Sequence, residues 1–401
     1  MEINKQIARI RTGAVDLITE KELGAKIARS IREKKPLRIK YGADPSAPDL
    51  HLGHTVPLRK LREFQGLGHL VVFIIGDFTA RIGDPSERTE TRKMLTFAEV
   101  KKNAATYQEQ VFRILDPKRT EVRFNSEWLD KMDTSRTLEL TSKYTVARLL
   151  ERDDFEKRYR AGQPIALVEF LYPLFQGYDS VMVNSDIEIG GTDQKFNLLV
   201  GRELQREWKQ EPQVVLTLPL IEGTDGAQKM SKSLGNHIAL NDSAKDMYGK
   251  VMSISDVLME RYYRYVCPLQ PEEVDKIVRS LSEGKLHPRE AKARLAFEIV
   301  SSYHSKKSAE EAAREFDHVF KQKGVPEEVE TIRVKFKELD IVTLLKETGL
   351  VPSKMEARRL ISQGGIKLDS ERVSDERMVV VLEKPVLIQC GKRRFARVQK
   401  G

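Results

Sequence analysis

Cysteine is almost missing from this chain of 401 residues: Cys267 and Cys390 are the only two, far apart and in no metal-ligand spacing. A disulfide framework is thereby excluded, and no structural zinc is expected. Long apolar runs are missing too. None reaches the ~18 residues that a membrane span requires, so no membrane association is expected. The N-terminal stretch MEINKQIARIRTGAVDLITEKELGAK is charged throughout and lacks the apolar core of a secretory signal, which points to a cytoplasmic protein. No G-x-G-x-x-G follows the first apolar run, so a dinucleotide site of the NAD type has no support. Internal repeats and low-complexity segments are absent as well.

What is present describes a globular protein, with 40% hydrophobic and 32% charged residues. The length exceeds a single comfortable core, so two or three domains are expected. The formal charge of +9 and a pI near 9.2 fit a polyanionic partner such as nucleic acid, through phosphate contacts and counterion release. Where the charge sits carries more weight than its total.

Residues 1–35 have helical spacing and read as a leader on the first domain. From Leu37 the runs LRIKYGAD, HLVVFIIGD, TEVRFN, SDIEIGG and QVVLTLPL read as short strands, with amphipathic stretches such as Thr55–Leu67 and Phe97–Leu115 between them. That alternation predicts an α/β fold, a Rossmann-like parallel sheet with helices on both faces, over residues 1–228. Residues 242–322 have helix-period patterns and almost no strand signal, so 229–325 is expected to be a loop followed by a helical domain. Gly324-Val325-Pro326 opens a linker over 326–337. A small α+β unit is expected over 338–401.

Two basic patches stand about 175 residues apart. The first is in YGADPSAPDLHLGH, residues 41–54, where a strand ends, a Pro-punctuated loop follows and a helix begins. A helix N-terminus is an anion site, and His51 and His54, three apart, share one helix face and can touch one phosphate chain. Gly53 between them lets a flat base approach the backbone. An isolated H-x-x-H is more often an ordinary surface pair. The second patch, GTDGAQKMSKSLGN, carries Lys229 and Lys232 on a Gly/Ser-rich loop that can close over a ligand and bracket the charge on departing pyrophosphate. A third basic element, IGDPSERTETRK (82–93), places Arg88 and Arg92 where they can swing to the same triphosphate.

The segment VEFLYPLFQGYDSV puts Tyr172, Gln176 and Asp179 at i, i+4 and i+7, a polar stripe on one face of an otherwise apolar helix. Such a stripe must find partners, either a satisfied structural network or a ligand carrying an ammonium and a hydroxyl. Gly190-Gly191-Thr192-Asp193-Gln194 then offers a glycine approach to a ribose, an acid for its hydroxyl and an amide for a carboxylate.

HLGH, GDFTARIGDP, YPLFQGYD, GGTDQKFN and KMSKSLGN, in this order, resemble the bacterial tyrosyl-tRNA synthetases of class I, in the subgroup with an intact KMSKS. The resemblance covers essentially the whole chain. It implies that Asp84, Tyr172 and Gln176 hold the tyrosine ammonium, that Asp179 accepts the phenol hydroxyl, and that Gln194 orients the carboxylate. Asp193 and Gly191 would meet the ribose of ATP. Asp44, Ser46, His51 and His54 would line its phosphates, and Lys229 and Lys232 the pyrophosphate. It further implies ATP as a substrate, with Mg2+ held mainly by the phosphates, tRNA(Tyr) as partner and a homodimer. Two positions depart from the pattern. Tyr41 stands one place from the tyrosine that many relatives have before the first-strand glycine, and Glu87 occupies a place where glycine is common.

Residues 338–401 carry 13 Lys/Arg against 9 Asp/Glu. In VPSKMEARRLISQGGIKLDSERV, Ser353 with Glu356 reads as a capping box, opening a helix that ends near Gly364. Ala357, Leu360 and Ile361 would face inward, leaving Lys354, Arg358 and Arg359 outside. The unit resembles the small RNA-binding module first seen in a small-subunit ribosomal protein. That resemblance implies Lys354, Arg358, Arg359 and Lys392, Arg393, Arg394 as tRNA phosphate contacts. The rival expectations are a tryptophanyl-tRNA synthetase, a small nucleotidyltransferase and a non-catalytic RNA-binding paralogue. The polar stripe and the basic tail count against the first. The helical domain and tail count against the second, and the intact KMSKS against the third.

Overall fold

The structure, a computed structural model, describes residues 2–45, 49–86, 95–232, 234–321, 329–369, 371–391 and 394–401. The chain forms two compact units, Met1–Ala309 and Glu310–Gly401.

The first unit is built on a six-stranded sheet of β1 (Asp16–Ile18), β2 (Arg38–Ala43), β3 (Leu70–Ile75), β4 (Thr120–Phe124), β5 (Ile187–Gly191) and β6 (Val214–Leu218). The spatial order is β1-β6-β5-β2-β3-β4. All neighbours run parallel except β1, which lies antiparallel on β6. β3 and β6 are almost continuous runs of fully buried aliphatic residues, as strands covered on both faces must be. Five strands coincide with the apolar runs in the sequence. The sixth, β1, was hidden in a stretch read as helical. The segment forms two helices, Ile3–Arg11 and Glu20–Glu33, with β1 between them. Three residues are too few for alternation to register, and β1 is held by its partner: Asp16 N–H donates to Thr217 Oγ1 (3.0 Å) and Thr217 Oγ1 to Asp16 Oδ2 (2.6 Å).

The sheet reverses its winding at β2, from which the chain proceeds to β3 and β4 on one side and β5 and β6 on the other. β2 pairs with β5 only at Ile39↔Ile187 and Lys40↔Glu188. Beyond those pairs, the carboxyl ends of the two strands part. Such a switch point is where open α/β sheets bind ligands. At the last paired position Lys40 and Glu188 form an ion pair of 2.7 Å with both side chains sealed from solvent. Lys40 Nζ also donates to Gln176 O (2.8 Å) and Ser180 Oγ (2.7 Å), which fixes the Leu167–Val183 helix against the strand. That helix packs closely on the Lys195–Glu207 helix through two glycines. A Cβ on Gly177 would come within 3.0 Å of Gly201 N, and one on Gly201 within 2.9 Å of Ser180 Oγ.

Past β6 the chain is helical, as expected: Ala244–Met252, Met259–Tyr265, Pro271–Ser282, Pro288–Tyr303 and Lys306–Lys321. The helices up to Tyr303 lie in the same compact unit as the sheet. Tyr262 Oη donates to Glu222 O (2.8 Å) and Arg261 Nη2 to Leu220 O (2.7 Å), tying this layer to the segment that leaves β6.

In the second unit, β7 (Glu330–Val334), β8 (Glu338–Asp340), β9 (Ile366–Leu368), β10 (Glu371–Arg372), β11 (Val379–Val381), β12 (Val386–Cys390) and β13 (Arg394–Lys400) form a five-stranded sheet, β10-β9-β12-β13-β7, and a ribbon, β11-β8. β7 falls in the stretch expected to be linker. It runs parallel to β13 from Ala396↔Glu330 to Lys400↔Val334, so the ordered unit begins earlier than 338. The cause is long-range pairing, to which a local reading of the sequence is blind. The helix Lys354–Ser362 has Ser353 as its N-cap, accepting from Glu356 N–H (3.2 Å). The reciprocal half of the capping box does not form, because Glu356 makes a bidentate pair with Arg359 (2.8 and 2.6 Å). Ala357 and Ile361 enter a core with Ile341, Leu344, Leu345, Ile366, Ile388 and Val398.

Candidate active site

A cavity of about 720 Å³ opens where β2 and β5 part. Its walls include Asp44, Gly53, His51 and His54 from the first basic patch, Asp84, the stripe Tyr172, Gln176 and Asp179, then Gly191, Asp193 and Gln194, and finally Lys229 and Lys232. Every such residue that the structure describes and the sequence singled out for small-molecule binding lines this one space. Ser46, Glu87, Arg88 and Arg92 lie outside the described residues, as do Lys392 and Arg393.

At one end, His51 caps the Leu52–Gly66 helix and its backbone N–H donates to His54 Nδ1 (3.2 Å). Because Nδ1 accepts, the proton of neutral His54 sits on Nε2, where it can donate to an anion. Burial depresses both imidazoles: His54 falls to about 4, and His51 lies well below its ordinary value, pushed further by His54, His237 and Lys229. At neutral pH both are uncharged donors. A Cβ on Gly53 would stand 3.0 Å from the His51 ring and 3.7 Å from Met230 Cβ, so a larger residue here would push the imidazole aside.

The KMSKS segment is a strap anchored on both sides. Met230 N–H donates to Ile221 O (2.7 Å) and Gly223 N–H to Gln228 O (2.9 Å). After the strap, residues 238–240 pair with 50–52, through Leu52 N–H to Ile238 O (2.9 Å) and Leu240 N–H to Leu50 O (2.8 Å). The two basic patches are thus joined by backbone. Asn236 stitches the strap internally: Nδ2 donates to Asp225 Oδ2 (2.8 Å) and Lys229 O (3.1 Å), and Oδ1 accepts from Ser231 N–H (2.8 Å). Lys229 Nζ lies 3.4 Å from Asp193 Oδ2, and Lys232 Nζ 3.5 Å from Asp49 Oδ2.

At the other end the stripe is pre-engaged. Tyr172 Oη donates to Asp44 Oδ2 (3.0 Å), whose Oδ1 accepts from Thr79 Oγ1 (2.7 Å). Asp44 therefore faces the stripe as well as the loop expected to line the phosphates. A Cβ on Gly76 would lie 2.0 Å from Asp44 Oδ1, so the residue that follows β3 must be glycine for this carboxylate to fit. Asp179 accepts from Trp128 Nε1 (2.8 Å) and Asn125 Nδ2 (3.3 Å). Burial raises Asp44 and Asp179 each to about 7. Between them runs a polar network. Gln194 Nε2 donates to Asp84 Oδ2 (2.7 Å), Asn197 Nδ2 to Gln176 Oε1 (3.0 Å) and Gln194 Oε1 (3.1 Å), and Arg152 Nη2 to Ser86 Oγ (2.7 Å). Tyr41 also lines the cavity, its ring tilted on Phe73 with centroids 5.8 Å apart.

Sequence reasoning missed Arg152, Asn197, Asn125, Trp128, Thr79 and Asp49. Arg152 stands in the strongly charged stretch ERDDFEKRYR, yet its side chain is 5% exposed. Trp128 and Asn125 follow β4 with no motif around them. Asn197, Thr79 and Asp49 stand inside GGTDQKFN, GDFTARIGDP and YGADPSAPDLHLGH, and Asn236 ends KMSKSLGN, so those motifs were the available signal.

In the second unit Lys354, Arg358 and Arg359 are outward on their helix, as expected. Arg359 is paired with Glu356, Arg358 lies 3.7 Å from Glu376, and Arg394 Nη1 donates to Leu350 O (2.9 Å).

Two imidazoles on a helix start, a lysine strap and a Gly-Gly-Thr-Asp turn around one cavity are the arrangement of a nucleotide-using enzyme of the synthetase kind. The chain belongs to the family described as tRNA synthetases class I (W and Y), whose profile matches residues 32–321. Residues 320–398 match the Tyrosine--tRNA ligase SYY-like C-terminal domain. It is 54% identical to the Tyrosine--tRNA ligase of Thermotoga maritima over 401 residues (100% of this chain, 99% of the relative). It is 51% identical to that of Moorella thermoacetica over 397 residues (99% and 96%). In fold it is similar to the tyrosyl-tRNA synthetase of Archaeoglobus fulgidus complexed with L-tyrosine, at a TM-score of 0.63 and 22% identity, covering 78% of this chain and 100% of that one.

Proposed function

We propose that this enzyme activates L-tyrosine with ATP and transfers it to the 3′ end of tRNA(Tyr). The observation that carries the reading is the single cavity in which the imidazole helix start and lysine strap meet the Tyr172, Gln176, Asp179 stripe. In the first step the tyrosine carboxylate attacks the α-phosphate in line, giving tyrosyl-adenylate and pyrophosphate. In the second, the terminal ribose hydroxyl attacks the activated carbonyl and AMP leaves. No side chain acts as nucleophile; catalysis is positioning and charge stabilisation.

Neutral His51 and His54 donate to the phosphates, and Lys229 and Lys232 leave their carboxylate partners for the pyrophosphate. Gly191 and Asp193 meet the ribose. Asp84, Tyr172 and Gln176 take the ammonium, Gln194 orients the carboxylate, and Asp179, held by Trp128 and Asn125, accepts from the phenol. Mg2+ would be held mainly by the ATP phosphates and would supply charge neutralisation there. The second unit takes the tRNA backbone through Lys354, Arg358 and Arg359, and the enzyme works as a cytoplasmic homodimer. ATP–pyrophosphate exchange with tyrosine, tryptophan and phenylalanine in turn tests the reading: exchange with tyrosine alone, followed by charging of tRNA(Tyr), is expected. Exchange with tryptophan instead would transfer the assignment to the sister specificity.

A further inference from the structure

Asp49 precedes the His51 helix and bridges two parts of the site. Its Oδ1 accepts from Asn241 Nδ2 at 2.8 Å, and its Oδ2 faces Lys232 Nζ at 3.5 Å. Both ends of this bridge are fixed by the fold. Leu50 N–H donates to Gln110 Oε1 (2.8 Å), and Asn241 follows the 238–240 segment whose backbone pairs with 50–52. Asp49 and Lys232 line the same cavity, beside His51. Among the described residues, Lys250 beside them pairs with Asp242 at 2.6 Å, and His237 faces both Asp49 and Lys232.

A long, half-exposed ion pair is weak, and a triphosphate with several charges outcompetes one carboxylate. We propose that Asp49 is a positioning residue for tyrosine activation: it holds Lys232 over the cavity before ATP arrives and releases it to the departing pyrophosphate. This rests on the reading of Lys232 as a pyrophosphate cation. Anchoring the lysine in advance reduces the ordering the strap must undergo at the transition state, so the benefit falls on kcat. ATP binding gains nothing from a carboxylate beside its phosphates.

The test is ATP–pyrophosphate exchange on five purified full-length variants: Asp49→Ala, Asp49→Glu, Lys232→Ala, the double variant Asp49→Ala/Lys232→Ala, and Asn241→Ala. Asp49→Ala is expected to lower kcat roughly fivefold, with KM for ATP within about twofold of the parent. Asp49→Glu recovers most of the loss, and the double variant is no slower than Lys232→Ala alone, because the carboxylate acts through that lysine. Asn241→Ala, which leaves the carboxylate in place but unanchored, gives an intermediate kcat and guards against misfolding of the Asp49 variants. Additive losses, an unchanged kcat in Asp49→Ala, or a loss carried by KM for ATP would each overturn the proposal. If Lys232→Ala itself exchanged at the parent rate, the reading of the strap would fall with it, an outcome distinct from additivity.

Discussion

Asp44 and Asp179 share an electrostatic problem at the inner end of the cavity: both are buried carboxylates raised to about 7, with burial the leading cause. Between about pH 4 and 7 the folded chain holds protons at these sites that the unfolded chain has released, so their contribution to stability falls as pH rises through that window. Asp44→Asn removes its share and should flatten the loss between pH 5 and 7.5 in urea denaturation; an identical pH dependence in the variant would show that Asp44 is not the group titrating. For Asp179 the decisive quantity is selectivity. On the proposed reading phenylalanine would leave Asp179 one donor short, and the discrimination of ~10⁴–10⁵ known for tyrosyl-tRNA synthetases as a class would rest on such a missing partner. Asp179→Ala should erode the Tyr/Phe ratio of kcat/KM far more than it changes KM for ATP, and steady-state exchange with both amino acids measures it. The stripe was legible from spacing alone. Its donors, Trp128 and Asn125, were not, because they arrive from β4, distant in sequence and unmarked by any motif.

The strap owes its shape less to its lysines than to Asn236, 4% exposed and bonded to Asp225, Lys229 O and Ser231 N–H. Asn236→Ala removes these bonds and leaves backbone groups unpaired, so the lysines lose their aim. The expected result is a fall in kcat for activation of roughly 10- to 100-fold with unchanged global stability, read from exchange kinetics beside a thermal melt. A stability loss without a kinetic one would make Asn236 purely structural. Strands β2, β3, β5 and β6 were readable because each carries a buried run bounded by turn residues, and β4, with no fully buried residue, is bounded in the same way. β1 and β7 were not, since one has three residues and both depend on partners more than sixty positions away.

The molecule divides by compactness at 309/310, and β7 belongs to the sheet of the second unit. A deletion after residue 337 would strand β7, so the informative truncation ends at Lys321. That chain should retain tyrosine activation within about twofold and lose tRNA charging by roughly tenfold or more at moderate salt, since phosphate contacts dominate the affinity. Full charging by the truncated chain would remove the second unit from tRNA recognition. The helical segment, expected to be a domain apart, shares the compact unit of the sheet up to Tyr303, because Tyr262 and Arg261 bond to the carbonyls leading into the strap.

The amino-acid order by itself determined the strand and helix alternation, the two basic patches and the stripe, because periodicity, glycine placement and short motifs are local properties that neighbouring residues impose on one another. The tertiary structure decided that β2 and β5 separate after Lys40↔Glu188 and open the cavity, that Asp44 turns toward Tyr172, that Asp49 lines the cavity, and that Arg152 and Trp128 hold the lining residues Ser86 and Asp179 from behind. Those outcomes depend on where non-adjacent backbone is brought within hydrogen-bonding distance and which charges are buried there. Neither is encoded within any one stretch of the chain.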